Sequence, residues 1–313
     1  MSENQARIES AIRDLGFRLN EHARGLKTKR SMTVGVLIPS LENVFCTGIV
    51  THVEKRLQAS GYSTLICDYR ETPALECEKL DFLRDKRVDG FIYMPLGRHE
   101  AHVASRVTRL VQSGIPVVLI DRPLDGVACD TVLVDNWQAS YNAMAYLMRL
   151  GHRRIGVIGG PKGIYTAEER LKGVRDIHRE RGLDLDENCL LEGDYSLESG
   201  YRLMSAFLSR PNPPSAVYVA NYEMTLGAVM AINERRIKVP DELSIIGFDN
   251  LQLARIVKPS LSIVVQPNQA IGETAAEVLL KRMQGELSDF PAAYRLATEL
   301  VFGESVKDLR ERQ

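Results

Sequence analysis

The chain has 313 residues and a formal net charge of −1, with 44% hydrophobic and 26% charged side chains, which is typical of a globular protein of about two lobes. No apolar run approaches the roughly 18–20 residues of a membrane span, and the first residues lack the apolar core of a secretory signal, so we expect a cytoplasmic protein without a membrane partner. The five cysteines are scattered and have no C-x-x-C spacing, which argues against a disulfide framework or a zinc site.

The first thirty residues are more basic than the rest, with seven Lys or Arg side chains against four Asp or Glu. Ser2 and Gln5 have capping-box spacing, and apolar residues recur at helical spacing up to Leu15, where Gly16 ends the helix. One helix of this length cannot bury its apolar stripe alone, so we expect it to dock on another segment or to fray. The positive charge indicates an anionic partner, although a solvated tail would carry the same charges.

A second short helix is predicted from Asn20, which can cap it, to Lys27. It is short and contains Gly25, so it needs a partner to remain helical in water. A basic segment that orders on contact and carries Leu26 suits a minor-groove element with a wedge side chain. In the free protein we expect the same segment to be a flexible linker.

From residue 31 onward, apolar strand-like runs alternate with helical patterns. In one of these helices, Ile49, Val53 and Leu57 recur at i, i+4 and i+8. The strands are continuous Val/Ile/Leu runs, as expected when helices cover both faces of a parallel sheet, and the alternation predicts a doubly wound α/β fold. The predicted strands are Thr33–Ile38, Tyr62–Asp68, Asp89–Met94, Pro116–Asp121, Arg154–Gly159, Ala216–Ala220, Ser244–Phe248 and Leu261–Val265.

Polar side chains follow the carboxyl ends of six predicted strands, where such sheets bind ligands. They are Asn43, Asp68, Asp121, Arg122, Asn221, Asp249, Asn250 and Gln266. Each one alone could be a loop turn or a helix cap. Together they suit a sugar, because carboxylates and amides bind hydroxyls, arginine supplies a fixed fork, and the rings of Phe45 and Tyr195 could cover an apolar sugar face.

Several segments resemble the lactose-repressor/galactose-repressor (LacI/GalR) family, and they cover nearly the whole chain in the right order. The most specific is Gly151-His152-Arg153-Arg154-Ile155-Gly156, which resembles the family's G-H-R-x-I-G signature. The others are residues 20–26, 34–39, 89–90, 115–122, 134–136, 198–201, 239–241, 246–250 and 259–261.

The resemblance implies a two-lobed, periplasmic-binding-protein-like (type I) α/β fold in which each lobe is a doubly wound parallel sheet. Residues 1–19 would be the remnant of a helix-turn-helix domain, and residues 20–32 would form a hinge helix and linker. One lobe would comprise residues 33–135 plus 268–297 and the other residues 136–267 plus 298–313, with the chain crossing between them twice.

The resemblance also implies a function: a sugar-responsive, DNA-binding transcriptional regulator, most simply a repressor, that acts as a homodimer on operator DNA. The effector-binding residues would be Asn43, Phe45, Asp121, Arg122, Arg170, Tyr195, Asn221, Asp249 and Gln266. The hinge residues that contact DNA would be Asn20, His22, Ala23, Arg24, Leu26 and Lys27, with Leu26 opening a minor-groove base step. Effector binding between the lobes would change the spacing of two hinges across a dimer.

The sequence departs from the family pattern at three places. The first two DNA-binding helices, including the recognition helix, are not present, so we expect weak operator binding by this chain. Tyr222 stands where the family usually has Asp, which puts the local helix cap and the effector in question. Cys46 follows Phe45 where a second aromatic residue is common, so one stacking face is expected to be lost.

Other functions are less consistent with the sequence. The run from Gly156 to Gly163 follows a strand but lacks the G-x-G-x-x-G spacing of a dinucleotide loop, and no catalytic triad or carboxylate pair stands out. His99 and His102 have no third metal ligand nearby. We therefore expect no enzyme, cofactor or metal. The main alternative is a sugar-binding protein of a transport system, which would need an export signal and would lack the basic hinge.

Overall fold

The computed structural model describes residues 30–249 and 251–310. The predicted helix of residues 2–16, all six predicted hinge residues and Asn250 lie outside the described residues. Within this part of the chain, no helix is both long enough and apolar enough to cross a bilayer.

Two six-stranded sheets form the body of the protein. The first half of the chain alternates as β1 (Thr33–Ile38), α1 (Val44–Gln58), β2 (Ser63–Asp68), α2 (Pro73–Asp85), β3 (Gly90–Tyr93), α3 (Ala101–Gln112), β4 (Val117–Ile120), β5 (Asp130–Val134), α4 (Asn136–Arg149) and β6 (Ile155–Gly159). The second half continues with α5 (Tyr165–Glu180), a 3₁₀ helix (Glu187–Cys189), β7 (Leu190–Glu192), α6 (Leu197–Leu208), β8 (Ala216–Val219), α7 (Tyr222–Glu234), β9 (Ser244–Phe248), α8 (Leu251–Ile256), β10 (Ser262–Val265), α9 (Asn268–Met283), β11 (Ala293–Leu296) and β12 (Glu299–Val301).

The first sheet has the order β11-β5-β4-β3-β1-β2 and the second the order β12-β10-β9-β8-β6-β7. Every neighbouring pair is parallel except β10 and β12, which are antiparallel. The α/β fold with two doubly wound sheets is therefore as predicted, with β12 as an antiparallel edge strand. All eight predicted strands are present, with ends within one residue of the prediction.

The chain passes between the sheets three times, and not twice as the resemblance suggested. It crosses from β5 to β6 through α4, from β10 to α9, and from β11 to β12. Three adjacent connections of this kind are the segments about which two lobes can move relative to each other.

Each sheet separates two apolar cores, because successive strand residues point to opposite faces. In β1, Val36 belongs to the core under α1 and α9, whereas Leu37 belongs to the core under α2 and α3. The predicted apolar face of α1 is fully buried in the first of these cores. The second sheet has the same arrangement, with α6 and α7 on one face and α4 and α5 on the other.

Helices α6 and α7 approach each other backbone to backbone through two glycines. A Cβ atom on Gly200 would lie 2.2 Å from the Met224 carbonyl oxygen, and one on Gly227 would lie 2.0 Å from the Leu197 carbonyl oxygen. A side chain at either position would force the helices apart. This close contact fixes the start of α7 beside the loop that precedes α6, and both segments line the cavity described next.

Candidate functional site

A cavity of about 290 Å³, called the cleft cavity below, lies at the carboxyl ends of strands from both sheets. Its volume is at the lower limit of the roughly 300–1,000 Å³ typical of small-molecule sites. All nine effector-binding residues predicted from the sequence line it. From the first sheet come Asn43, Phe45, Asp121 and Arg122, and from the second come Arg170, Tyr195, Asn221, Asp249 and Gln266.

Asp121 and Arg122 follow β4 and form an ion pair in the cavity wall. Arg122 Nε lies 3.3 Å from Asp121 Oδ2, and Arg122 Nη1 donates to the Leu96 carbonyl oxygen at 2.7 Å. Asp121 has a left-handed backbone conformation, with φ of 65°. Its amide still donates to Val132 of the neighbouring strand at 3.0 Å, so the turn is fixed to the sheet.

Arg170 of α5 is buried and held by three groups of the second lobe. Its Nε donates to Asn136 Oδ1 at 2.7 Å and its Nη1 to the Ala220 carbonyl oxygen at 2.5 Å. The guanidinium carbon lies 3.8 Å from the centre of the Phe248 ring, which is a cation–π contact. The fork is therefore oriented before any ligand arrives, with Nη2 left to bind one.

Asp249 and Gln266 form the opposite wall. Gln266 Nε2 lies 2.9 Å from both carboxylate oxygens of Asp249, whose backbone is left-handed with φ of 61°. Removal of the carboxylate from bulk water raises the pKa of Asp249 to about 6, while Arg170 and the Gln266 amide oppose this rise. Asp249 is therefore mostly ionised at neutral pH and can accept hydrogen bonds from hydroxyl groups.

Two asparagines bring helix N-termini to the cavity. Asn43 Oδ1 accepts from the Phe45 amide at 2.9 Å at the start of α1, and Asn221 Oδ1 accepts from the Met224 amide at 2.9 Å at the start of α7. Each asparagine can therefore cap a helix and bind a ligand at the same time, because the cap uses the side-chain oxygen and the ligand can use the NH₂ group. Asn221 makes the cap of α7, so Tyr222 does not disrupt it as the departure from the family pattern had suggested.

Tyr195 places its ring in the cavity from a strained loop. Its φ is 70°, which is unusual for a bulky residue, and its hydroxyl lies 3.3 Å from Thr166 Oγ1. The preceding Asp194 accepts from the Ser196 amide at 2.8 Å, which holds the turn. Phe45, the other predicted ring, is half-buried and packs against the first core.

Cys46, which stands where the family often has an aromatic residue, is almost completely buried, with its thiol 3.8 Å from Met94 Sδ. Burial raises the pKa of this thiol to about 12, so it remains protonated at neutral pH. It contributes a small apolar surface to the wall and no ring to stack on, as the sequence suggested.

The sequence analysis did not identify four acidic residues that line the cleft cavity. They are Glu42, Glu71, Asp194 and Glu223. They occupy loops and a helix start with no periodic pattern, so only the three-dimensional arrangement groups them. Among the described residues, the cavity lining therefore has six carboxylates and two guanidinium groups, and the guanidinium groups, of Arg122 and Arg170, already have protein partners.

Comparison with known proteins agrees with this fold. The periplasmic binding protein-like domain family matches residues 144–306. Catabolite control protein A from Priestia megaterium is 32% identical over 96% of this chain and 90% of its own length. The HTH-type transcriptional repressor CytR from Escherichia coli K12 is 32% identical over 90% of this chain and 81% of its own length.

Among solved structures, a LacI family transcriptional regulator from Enterococcus faecium with bound ribose superposes with a TM-score of 0.78. It is 26% identical, and the match covers 89% of this chain and all of the other. The relatives are regulators by name, which favours a regulator over the transport protein considered as an alternative.

Proposed function

The chain belongs to the LacI/GalR family of transcriptional regulators, and from this premise we propose that it represses transcription by binding operator DNA as a homodimer and responds to a neutral sugar. We propose that the sugar binds in the cleft cavity between lobes of residues 33–135 plus 268–297 and 136–267 plus 298–313. The protein would act in the cytoplasm, and its DNA contacts would come from the hinge residues Asn20, His22, Ala23, Arg24, Leu26 and Lys27. The described residues that line the cavity form no catalytic dyad or triad, and we propose that the protein binds its ligand without a chemical step.

The observation that supports this proposal most directly is the convergence of nine polar or aromatic side chains from both sheets on one cavity. Hydroxyl groups would donate to Asp121 and Asp249 and accept from Arg170 and from the two asparagine amides. The ring of Tyr195 would cover the apolar face of the sugar.

Two of the connections between the sheets contact the site directly. Asn136, at the first connection, accepts from Arg170, and Gln266, at the second, donates to Asp249. A ligand that engages Arg170 and Asp249 would therefore act beside two of the segments about which the lobes can move. Coupling of about 1–3 kcal/mol between effector and operator binding is typical of such switches.

The charge of the cleft cavity predicts which ligands are excluded. Six carboxylates face two paired arginines, so a phosphate group would meet uncompensated negative charge. We expect a thermal-shift screen to find at least one stabilising ligand among ribose, glucose, cellobiose and nucleosides. At 100 times its Kd, such a ligand raises the free energy of unfolding by about 2.7 kcal/mol. Glucose 6-phosphate and ribose 5-phosphate should give no shift. Stabilisation by the phosphates alone would contradict the proposed ligand class.

Gly160 offers a test of the proposed role of Tyr195. A Cβ atom on Gly160 would lie 2.3 Å from Tyr195 Cε1, so alanine must displace the ring. We expect Gly160→Ala to weaken sugar binding roughly 3–10-fold, as for loss of one aromatic contact. Gly159→Ala is the matched control, because its nearest neighbour would be 3.8 Å away. If calorimetry gave equal sugar affinities for the two variants, the proposed contact between Tyr195 and the sugar would be wrong.

To test DNA binding, the protein first selects its preferred sequence from a random DNA library. Fluorescence anisotropy then gives the Kd for that DNA with and without the stabilising sugar. The proposal requires sequence-specific binding whose Kd changes with the sugar. A Kd that does not change, with the sugar bound normally, would contradict the proposed coupling between sugar binding and operator binding.

A further inference from the structure

Glu76 of α2 is completely buried, and it is not among the residues that line the cleft cavity. Its Oε1 atom accepts hydrogen bonds from the Tyr93 hydroxyl and, at 2.7 Å, from the Leu96 amide. Its Oε2 atom is withdrawn from water and has no hydrogen-bond partner among the described residues. Burial raises the pKa of this carboxyl group, although the hydrogen bonds from Tyr93 and Leu96 oppose the rise. A buried carboxyl group with one unpaired oxygen destabilises the fold, so packing alone does not explain a glutamate at this position.

The turn after β3 is held by hydrogen bonds to three side chains. The Tyr69 hydroxyl donates to the Met94 carbonyl oxygen at 2.9 Å, and Met94 lines the cleft cavity. Two residues later, Glu76 accepts from the amide of Leu96. Arg122 donates to the carbonyl oxygen of the same residue at 2.7 Å. Leu96 is therefore bound at its amide by Glu76, from the core, and at its carbonyl group by Arg122, from the cavity wall.

Arg122 takes its orientation from this turn. It forms an ion pair with the preceding residue, Asp121. Its hydrogen bonds within the described residues go to the carbonyl oxygens of Pro95, at 3.4 Å, and Leu96, at 2.7 Å. Arg170, by contrast, is held from three separate elements. Because a guanidinium group is a rigid planar fork, a shift of the two carbonyl groups would redirect every donor that Arg122 turns towards the cavity.

We propose that Glu76 is a positioning residue of the sugar site, which fixes Leu96 so that Leu96 can orient Arg122 towards a sugar hydroxyl. This inference rests on the proposed function, because it requires the sugar to bind in the cleft cavity. Glu76 itself does not contact the ligand. The turn needs an acceptor at a fixed distance from α2, so glutamine can replace Glu76, whereas aspartate and leucine cannot.

The test uses the full chain, and calorimetry with ribose, glucose and cellobiose identifies the sugar that the wild-type protein binds most tightly. Glu76→Leu removes the acceptor, and Glu76→Asp keeps the carboxylate but shortens the side chain by one methylene. Glu76→Gln keeps an acceptor at the original length. Leu83→Ala is the matched control, because Leu83 is completely buried in the same helix but makes no contact with the turn through a hydrogen bond. Urea unfolding checks that each variant is folded.

We expect Glu76→Leu and Glu76→Asp to weaken binding of the selected sugar by about tenfold or more, as for loss of a well-oriented charged donor. Glu76→Gln should rescue binding. Leu83→Ala should lower the stability of the protein and leave its sugar affinity unchanged. A merely structural role of Glu76 predicts instead that sugar affinity follows stability in all four variants.

A double-mutant cycle tests whether Glu76 acts through Arg122. Glu76→Leu should add little to the loss of affinity that Arg122→Lys already causes, because both changes disturb the same donor. If Glu76→Leu does not fold, Glu76→Asp takes its place in the cycle.

Additive losses in the cycle would overturn the proposal, as would unchanged affinity in folded Glu76→Leu and Glu76→Asp proteins or equal weakening by Leu83→Ala. In each of these cases the wild-type protein still binds the sugar, so the proposed function stands. If none of the three sugars binds the wild-type protein, the proposed function fails, and the positioning role of Glu76 fails with it.

Discussion

Asp249→Asn is expected to abolish the response to the sugar and to make the protein more stable at neutral pH. Asp249 is a hydrogen-bond acceptor in the cleft cavity, and its ionisation is unfavourable there because burial raises its pKa to about 6. Loss of a charged acceptor should weaken sugar binding by roughly 10–150-fold. The asparagine can retain its neighbour, because Gln266 Oε1 has no other partner and a rotated amide can accept from the new NH₂ group.

The sign of the stability effect follows from proton linkage. The folded state binds a proton at Asp249 more tightly than the unfolded state, whose pKa is near 3.9. Folding of the wild-type protein is therefore penalised as pH rises from about 4 to about 6, and the full penalty of roughly 1–3 kcal/mol is present above that range. Urea unfolding should show Asp249→Asn more stable than wild type at pH 7.5, with the difference reduced by about half at pH 5.

Asp125→Asn provides a control of opposite sign. Arg98, 2.7 Å away, lowers the pKa of Asp125, so its ionised form stabilises the folded protein and this contribution disappears as pH falls through that lowered pKa. Asp125→Asn should therefore be neutral or slightly destabilising at pH 7.5. An Asp249→Asn protein that binds sugar normally, or that is less stable than wild type at pH 7.5, would contradict the role assigned to Asp249.

Arg282→Met should give the largest loss of stability of any single substitution considered. Arg282 and Asp130 are 2% and 0% exposed, and the guanidinium contacts both carboxylate oxygens at 2.9 Å. It also binds Asp289 at 2.6 Å. These contacts raise the pKa of Arg282 and join the end of α9 to the start of β5. Removal of one partner leaves a buried charge unpaired, which typically costs about 3–5 kcal/mol.

The corresponding control is Arg56→Met. Arg56 and Glu277 form an exposed pair at 3.3 Å, and pairs of this kind contribute about 0–1 kcal/mol. Urea denaturation should separate the two variants clearly. The double variant Asp130→Leu/Arg282→Met should recover much of the loss, because no unpaired buried charge remains and Asp289, which also loses its partner, is 55% exposed. A decrease for Arg282→Met no larger than for Arg56→Met would show that Asp130 is not isolated from water.

Much of the fold and site follows from the sequence for reasons that are local. Continuous apolar runs such as Ser244–Phe248 predict buried parallel strands, and the rule that parallel strands end at one edge then groups the residues after them. Asp121 and Asp249 were predicted in this way, and the structure places both in one cavity. That they bind a sugar stays a prediction.

Other features depend on contacts between distant segments. Strands β7 and β12 have three residues each, too few for a periodic pattern. Glu42 and Glu71 lie in irregular loops that only the packing of the first sheet brings together. The cleft cavity brings Phe45 and Gln266 together, although they are more than 200 residues apart in sequence. No local rule relates such residues.

The threefold passage between the sheets has a consequence for synthesis on the ribosome. Helix α9 covers one face of the first sheet, and β11 and β12 complete the edges of both sheets, although all three come from the last fifty residues of the chain. Nearly the whole polypeptide must therefore emerge before the first sheet can close its core. Early intermediates expose apolar surface for most of translation, so this protein should depend on chaperones that bind nascent chains.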